Sequence, residues 1–322
     1  MSESNGRYAL FLGCTIPYKL PQLEAATRFV MEKLGLEFVD LPFGCCPDPN
    51  GIHSYSEDTW YTLATRNLAL AEDQGLDIIT LCNGCYETLH YVNQKLKNDP
   101  KKLAKINSLL AEVNQEYKAS ISVIHLHEFL HEKIGYDKLS QMVVNPLANL
   151  RLSVHYGCHA LRPQSIGQPE NAEAPQWLWE FVENVIQAEP IHYVDETLCC
   201  GAGIREMDQA ASFDITKHKI VQMETAGANA ITVPCPTCFL QYDGSQKLIL
   251  RDESVGTQIV GTPTFYFTEL LALAMGADPK AIGINYHLMK PEQGLLKSSE
   301  STSVETSPKE IITVTTGSNP NS

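Results

Sequence analysis

All ten cysteines of this 322-residue chain fall into one five-cysteine order that occurs twice. The first copy is Cys14, the doublet Cys45-Cys46, then Cys82 and Cys85; the second is Cys158, the doublet Cys199-Cys200, then Cys235 and Cys238. Both read C…CC…CxxC, with intervening gaps of 30 and 35 residues in the first copy and 40 and 34 in the second. The two CxxC pairs lie 153 residues apart, so the period is that of a duplicated domain and not of a short solenoid repeat. No cysteine is left over, which ties the thiols to function.

Composition narrows the class. A hydrophobic content of 43% with 19% charged residues fits a folded chain long enough for two domains. The net charge of −14 argues against nucleic-acid binding and against a polybasic membrane anchor. The first residues, MSESNGRYALFLGC, lack a basic segment followed by a long apolar one, and no run reaches the roughly 18 apolar residues of a spanning helix. The expected compartment is therefore the cytoplasm, with peripheral docking on a membrane complex through another subunit left open. In a reducing compartment, patterned cysteines bind metal or do redox chemistry more often than they form structural disulfides.

Strand and helix patterns alternate. In the first half, strands are expected at Tyr8–Leu12, Glu37–Leu41, Asp77–Leu81 and Val123–Leu126, and helices at Pro21–Leu34, Glu57–Gln74, Asn83–Leu96 and His127–Lys133. In the second, strands are expected at Leu152–Tyr156, Ile191–Val194, Ala230–Val233 and Thr264–Phe267. Its helices are expected at Gln176–Gln187, Glu206–Ala226, Phe239–Leu250 and Glu269–Met275. This is an α/β chain with a parallel sheet in each half. Residues 1–137 form the first domain, 138–149 a linker, 150–290 the second domain, and 291–322 a disordered tail rich in Ser and Thr. Every cysteine element follows the carboxyl end of a strand, where such sheets collect ligands.

The chemistry of the pattern favours iron. Adjacent Cα atoms are about 3.8 Å apart, too close for an unstrained disulfide within either doublet. A CxxC pair at a turn or helix start aims two sulfurs at one centre, and a doublet suits a multinuclear one. Five crowded thiolates repel, each pair at 4 Å by about 4 kcal/mol at an effective dielectric near 20, so cations are required. Zinc takes four ligands in structural sites and would leave one cysteine of each five unused. Iron–sulfur is the reading for both copies, with zinc the competitor in the first.

These motifs, with FLGC at residues 11–14, CCPD at Cys45–Asp48, CNGC at Cys82–Cys85, CCGAG at Cys199–Gly203 and CPTC at Cys235–Cys238, resemble the CCG-domain family, in particular the B subunit of heterodisulfide reductase. The likeness covers about residues 7–290. It implies two Rossmann-like domains related by a pseudo-twofold axis, each with a noncubane 4Fe–4S cluster. Cys14, Cys45, Cys46, Cys82 and Cys85 would ligate one cluster, and Cys158, Cys199, Cys200, Cys235 and Cys238 the other. One departure is clear: the first doublet has Gly44 before it and Pro47 after it, so the glycine that follows the doublet occurs only as Gly201.

The resemblance implies an oxidoreductase subunit that passes electrons between a ferredoxin-type iron–sulfur subunit and a disulfide, within a complex that includes a flavoprotein. It also extends to the cysteine-rich subunit that replaces the membrane anchor in unusual succinate dehydrogenases, where the acceptor is a quinone. A zinc-binding scaffold without enzymatic function is the third reading. Two complete motifs favour the first two. No dinucleotide fingerprint or P-loop is found, so electrons enter or leave through a partner.

Other residues carry weaker signals. His53, His155 and His159 lie near the cysteines and are proton-donor candidates, although a histidine bonded to backbone is the plainer reading. Arg162 and Arg205 are candidates for holding negative charge. Trp177 and Trp179 read as core or subunit contact and not as a redox relay.

Overall fold

The computed structural model describes residues 6–48, 51–162, 170–251, 259–292 and 294–296. Strands β1 (Arg7–Phe11), β2 (Glu37–Val39), β3 (Ile78–Thr80) and β4 (Val123–His125) form one sheet in the order β2-β1-β3-β4. Strands β5 (Arg151–Val154), β6 (Glu189–Pro190), β7 (Ala230–Val233) and β8 (Thr264–Tyr266) form a second in the order β6-β5-β7-β8. All pairings are parallel. The inner strands β3 and β7 are buried throughout, because helices cover both sheet faces; their apolar runs are continuous and not alternating for that reason. The expected α/β duplication is thus present.

Local chemistry explains the main helices. Helix Pro21–Lys33 starts on a proline and buries Leu23, Ala26, Val30 and Met31 along one stripe. Helix Glu57–Glu72 begins at Ser56, whose hydroxyl accepts from the Thr59 N–H. Helices Asn83–Asn98 and Pro236–Ile249 each follow a CxxC cysteine directly.

Three sequence expectations need correction, and one helix is additional to them. The strand placed at Ile191–Val194 is instead the two-residue β6: after the Ile191 N–H bonds to the Leu152 carbonyl, the chain leaves the ladder, and Val194 is 85% exposed. Tyr193 stays buried by reaching back, its hydroxyl bonding to the Val154 carbonyl at 3.1 Å. The helix expected from Glu206 starts at Gln209, because Asp208 caps it by accepting from the Ala211 N–H. The helix expected from Phe239 starts at Pro236. Helix Pro100–Leu110 has no counterpart in the sequence reading, although Asp99 caps it and Pro100 opens it.

The two halves interlock. Helix Phe267–Ala274, which follows β8, packs on helix Pro21–Lys33 of the first half, with Thr268 and Thr27 hydroxyls 3.0 Å apart. Reciprocally, the π turn Leu130–Ile134 and helix Tyr136–Gln141, which follow β4, meet helix Trp177–Glu180 and the π turn Phe181–Val185 of the second half. His131 stacks on Trp177 at 4.1 Å, and the Tyr136 hydroxyl donates to the Trp177 carbonyl. Each sheet's last crossover therefore covers the other half.

Within the segment read as a linker, residues 138–141 belong to helix Tyr136–Gln141, and the Val144 and Asn145 N–H groups both bond to the Ala274 carbonyl. In the stretch read as a tail, Leu295 and Leu296 pack against the core. Residues 297–322 lie outside the described residues.

Candidate metal centre

In each sheet the strand order reverses direction at the first strand, so the crevice opens between β1 and β3 and between β5 and β7. Cys14 and Cys82 follow β1 and β3; Cys158 and Cys235 follow β5 and β7. The doublets come in from the loops after β2 and β6. Cys82 and Cys235 are the capping residues of their helices, and Cys85 and Cys238 sit in the first turns, where the aligned N–H groups favour negative charge.

The structure brings together all five cysteines of each copy. Cys14, Cys45, Cys46, Cys82 and Cys85 line a cavity of about 150 Å³. Cys158, Cys199, Cys200, Cys235 and Cys238 line another of about 170 Å³. The cavities are adjacent, sharing Asp48, Gly84 and Thr237 in their walls. In both, the CxxC pair and the second cysteine of the doublet are buried, while the first cysteine of the doublet is exposed. The ten thiols form one series of neighbours, each perturbing the ionisation of the next. It runs from Cys14 through Cys45, Cys46, Cys85 and Cys82. It then crosses to Cys235 and continues through Cys238, Cys200 and Cys199 to Cys158.

Such crowding splits the thiols electrostatically. Cys46, with Cys45 and Cys85 beside it, is pulled down to about 5. Cys200 is pushed up to about 12 by Cys199. Cys85 is pushed well up by Cys46 and Cys82, and Cys238 by Cys200 and Cys235, with burial adding to both. Without cations, most of these thiols must keep their protons. A buried, mutually repelling thiolate set with room at its centre is what a multinuclear cation cluster fits.

Side chains from neighbouring helices fix the doublet loops. In the first half, Asn67 accepts from the Gly44 N–H and donates to the Cys45 carbonyl, and Thr88 donates to the Pro47 carbonyl. In the second, Thr216 donates to the Cys200 carbonyl and Ser212 to the Gly201 carbonyl, with Gln241 bonded to both hydroxyls. Lys219 is fully buried, and its ammonium donates to the carbonyls of Asp195, Glu196 and Leu198. Burial pulls it down to about 8, so it remains charged at neutral pH. Arg66, which precedes its own CxxC by the same interval, lies against Gly44.

Glycine is required at two kinds of position. Gly13 and Gly157 precede the first cysteine of each set with φ of +68° and +79°; a Cβ would meet the Cys85 sulfur at 2.9 Å and the Asn83 amide at 2.7 Å. Gly201 has φ +91°, and a Cβ there would meet the Ser212 carbonyl at 2.7 Å.

The CxxC loops also join the halves. Asn83 lines the second cavity and donates to the Tyr156 carbonyl at 2.7 Å, while Pro236 lines the first. The Tyr266 hydroxyl donates to the Leu81 carbonyl at 2.6 Å. Sequence reasoning missed Asn67, Asn83, Asp48, Thr237 and Lys219. The only signal for them was position: Asn83 and Thr237 are the x residues of CxxC, and Lys219 matches Arg66 at the 153-residue period.

The other singled-out residues separate clearly. His159 lines the second cavity and pairs through Nδ1 with Glu87, which raises it above the ordinary histidine value. His155 is buried with a ring nitrogen near the sulfurs of Cys200 and Cys238, the three ligand atoms lying within 4.8 Å of one another. His53, Arg162 and Arg205 line neither cavity; His53 packs on Trp60 and Arg205 over Phe213. Trp177 and Trp179 pack on His131 and His192, away from the thiols. No helix of the described residues is long and apolar enough to cross a membrane.

Comparison with known proteins agrees with this architecture. The cysteine-rich CCG domain matches residues 8–90 and 152–243, one match per half. The B subunit of the ferredoxin/F(420)H(2)-dependent CoB-CoM heterodisulfide reductase of Methanosarcina acetivorans is 38% identical over 90% of this chain and 96% of its own length. An Archaeoglobus profundus protein described as like the heterodisulfide reductase B subunit is 31% identical over 86% of this chain and 93% of its own. The 8-methylmenaquinol:fumarate reductase membrane anchor subunit of Wolinella succinogenes is 27% identical over 88% of this chain and 96% of its own. A hypothetical protein from Helicobacter pylori shares the fold with TM-score 0.72 at 18% identity, over 89% of this chain and 52% of that one. The curated relatives are oxidoreductase subunits, and the chain belongs with them to the cysteine-rich CCG-domain family, in the group of heterodisulfide reductase B subunits.

Proposed function

We propose that this chain is the electron-delivering subunit of a disulfide reductase complex, with one noncubane 4Fe–4S cluster in each cysteine cavity. The observation that carries the reading is the pair of complete five-thiol cavities sharing a wall. A tetrahedral zinc site would use four thiols of each five. When bound, the clusters supply one-electron carriers at two neighbouring points. Reducing a disulfide to two thiols consumes two electrons and two protons and breaks one S–S bond, so two adjacent carriers match its two sulfurs.

The chain's own groups hold and orient these centres. Cys14, Cys45, Cys46, Cys82 and Cys85 would hold the first, and Cys158, Cys199, Cys200, Cys235 and Cys238 the second. The buried CxxC pairs and their helix starts form the floor, and the exposed Cys45 and Cys199 mark the open side. Asp48, Gly84 and Thr237, common to both cavities, form the ground on which a substrate would bridge. His159 on the second cavity wall, held by Glu87, is placed to pass a proton to a departing thiolate.

By analogy with the relatives, the substrate is a heterodisulfide of the CoB–CoM kind. Electrons arrive from a ferredoxin-type iron–sulfur subunit served by a flavoprotein. The division into domains 1–137 and 150–290 and a cytoplasmic, peripheral location are part of this reading. The quinone-linked reading draws on the Wolinella relative and ranks second because that likeness is lower.

The test is anaerobic purification with iron and sulfide analysis, EPR, and reduction of the heterodisulfide by a reduced viologen dye. Iron, acid-labile sulfide and thiol release are expected. Bound zinc without sulfide would end the redox reading. Copurification with a succinate- or fumarate-active flavoprotein, and turnover of quinol in place of disulfide, would select the quinone acceptor.

A further inference from the structure

The two cysteine sites are built alike in their thiols, but they differ in the residue three positions before the first cysteine. In the first site this is Phe11, fully buried, with its ring 5.0 Å from Phe43. In the second it is His155, 1% exposed, just beyond the end of β5. The His155 backbone is anchored by its N–H to the Thr232 carbonyl, and its ring packs edge-on against Tyr242 at 5.0 Å. Neither ring nitrogen has a hydrogen-bond partner among the described residues. Its ligand atom lies within 4.8 Å of the sulfurs of Cys200 and Cys238.

An imidazole in any protonation state carries at least one N–H, and burying a polar group without a partner is destabilising. A histidine is therefore an expensive choice where the first site uses a phenylalanine, unless something in the site engages it. The five thiols already supply the ligand set, so the imidazole has the role of a donor to sulfur.

We infer that His155 donates an N–H···S hydrogen bond to the second centre, and that this donor, absent from the first, makes the second centre the more readily reduced of the two. The inference rests on the proposal that clusters occupy both cavities. The physical basis is that a donor to sulfur stabilises the more negative, reduced state and so raises the potential. An ordered pair of potentials would direct electrons from the Phe11 side to the His155 side.

The experiment uses the full chain loaded with both clusters anaerobically, as wild type, His155→Phe and His155→Gln. Iron and sulfide per chain, the potential of each centre by EPR-monitored titration, and pulsed EPR of protein labelled with ¹⁵N-histidine are the readouts. The expected result is unchanged iron, with the second centre's reduction equilibrium shifted about tenfold toward the oxidised state in His155→Phe, which is 59 mV for one electron. The first centre should stay put, and His155→Gln should fall between. Wild type alone should show a weak nitrogen coupling confined to one centre, a result independent of how the variants fold. Full iron with both potentials unmoved overturns the inference. A strong coupling typical of iron–nitrogen ligation, or selective loss of the second centre's iron in both variants, also overturns it in favour of ligation. Absence of iron and sulfide from wild type overturns the cluster reading and this inference with it.

Discussion

Cys82 and Cys235 adjoin where the two halves meet, and each shifts the other's ionisation, Cys82 upward and Cys235 downward, which links the two five-cysteine sets. They are the same position of the two CxxC motifs, and both cap the helix that follows. The sites are consequently side by side, with Asp48, Gly84 and Thr237 common to both walls.

Replacing Cys235 should therefore touch both centres. In Cys235→Ser the second site loses a buried ligand, and the iron content should fall to about half. The first centre should persist with an altered EPR signal, because its neighbour at Cys82 has changed. Cys158→Ser, at the far end of the thiol chain, should reduce iron similarly while leaving the first signal unaltered. Identical first-centre spectra in the two variants would show that the junction carries no coupling.

The missing glycine of the first doublet has a local explanation. Gly201 occupies the left-handed region, and a Cβ would sit 2.7 Å from the Ser212 carbonyl. Its counterpart Pro47 is held differently, by Thr88 donating to its carbonyl, so the first loop takes another path. Gly201→Ala should cost about 1–3 kcal/mol and lower cluster retention in the second site. At Gly44 the nearest atom to an added Cβ is Arg66 Nη1 at 3.5 Å, and Gly44→Ala should change stability by about 0.5 kcal/mol or less. Chemical denaturation midpoints and iron per chain distinguish the two.

Much of this was readable from the sequence, for a physical reason. Strands β3, β4, β7 and β8 are buried throughout, so their apolar runs stand out, and the cysteines fall at strand ends, where a parallel sheet concentrates its ligands. What could not be read is how chain segments distant in sequence support one another. Lys219 looks like an ordinary exposed lysine of a polar helix until the loop before Cys199 folds over it. Asn83 looks like a turn residue until the second half presents the Tyr156 carbonyl. The Ile191–Val194 expectation failed because a buried tyrosine can bend back to the sheet by its hydroxyl, which an apolar pattern does not reveal. Helix Pro100–Leu110 carried its signals in Asp99 and Pro100, but its stripe is short, with only Ile106 and Leu110 buried.

Lys219 should be a positioning residue for the second doublet. Its ammonium satisfies the Asp195, Glu196 and Leu198 carbonyls. Lys219→Met keeps the stem and removes the donors. Leaving these carbonyls without their donor should cost about 1–3 kcal/mol and loosen the Cys199-Cys200 loop. Iron should be lost faster from the second centre than from the first when a chelator is added. Equal loss from both would mean that the lysine supports the fold generally and not this loop.

Glu128 gives the fold a pH dependence of defined sign. It lies beside Tyr86 and His127 between the halves, and burial, with Glu132 adding, raises its carboxyl to about 7 from 4.5. The folded chain thus binds this proton more tightly than the unfolded chain does. Stability from this group is greatest below about pH 4.5, where both states are protonated, and it falls as pH rises toward 7. The full difference is on the order of 3 kcal/mol. Tyr86, the His125 backbone and, least, Lys133 oppose the shift and limit it. Glu128→Gln removes the titration while keeping the shape, so its unfolding free energy should fall less than that of wild type between about pH 5 and 7. The comparison is made as a difference between the two proteins at each pH, which cancels the acid sensitivity of the thiol sites common to both. If the two stability curves run parallel across this range, the carboxyl is already ionised in the folded state, and the space between the halves is wetter than its burial implies.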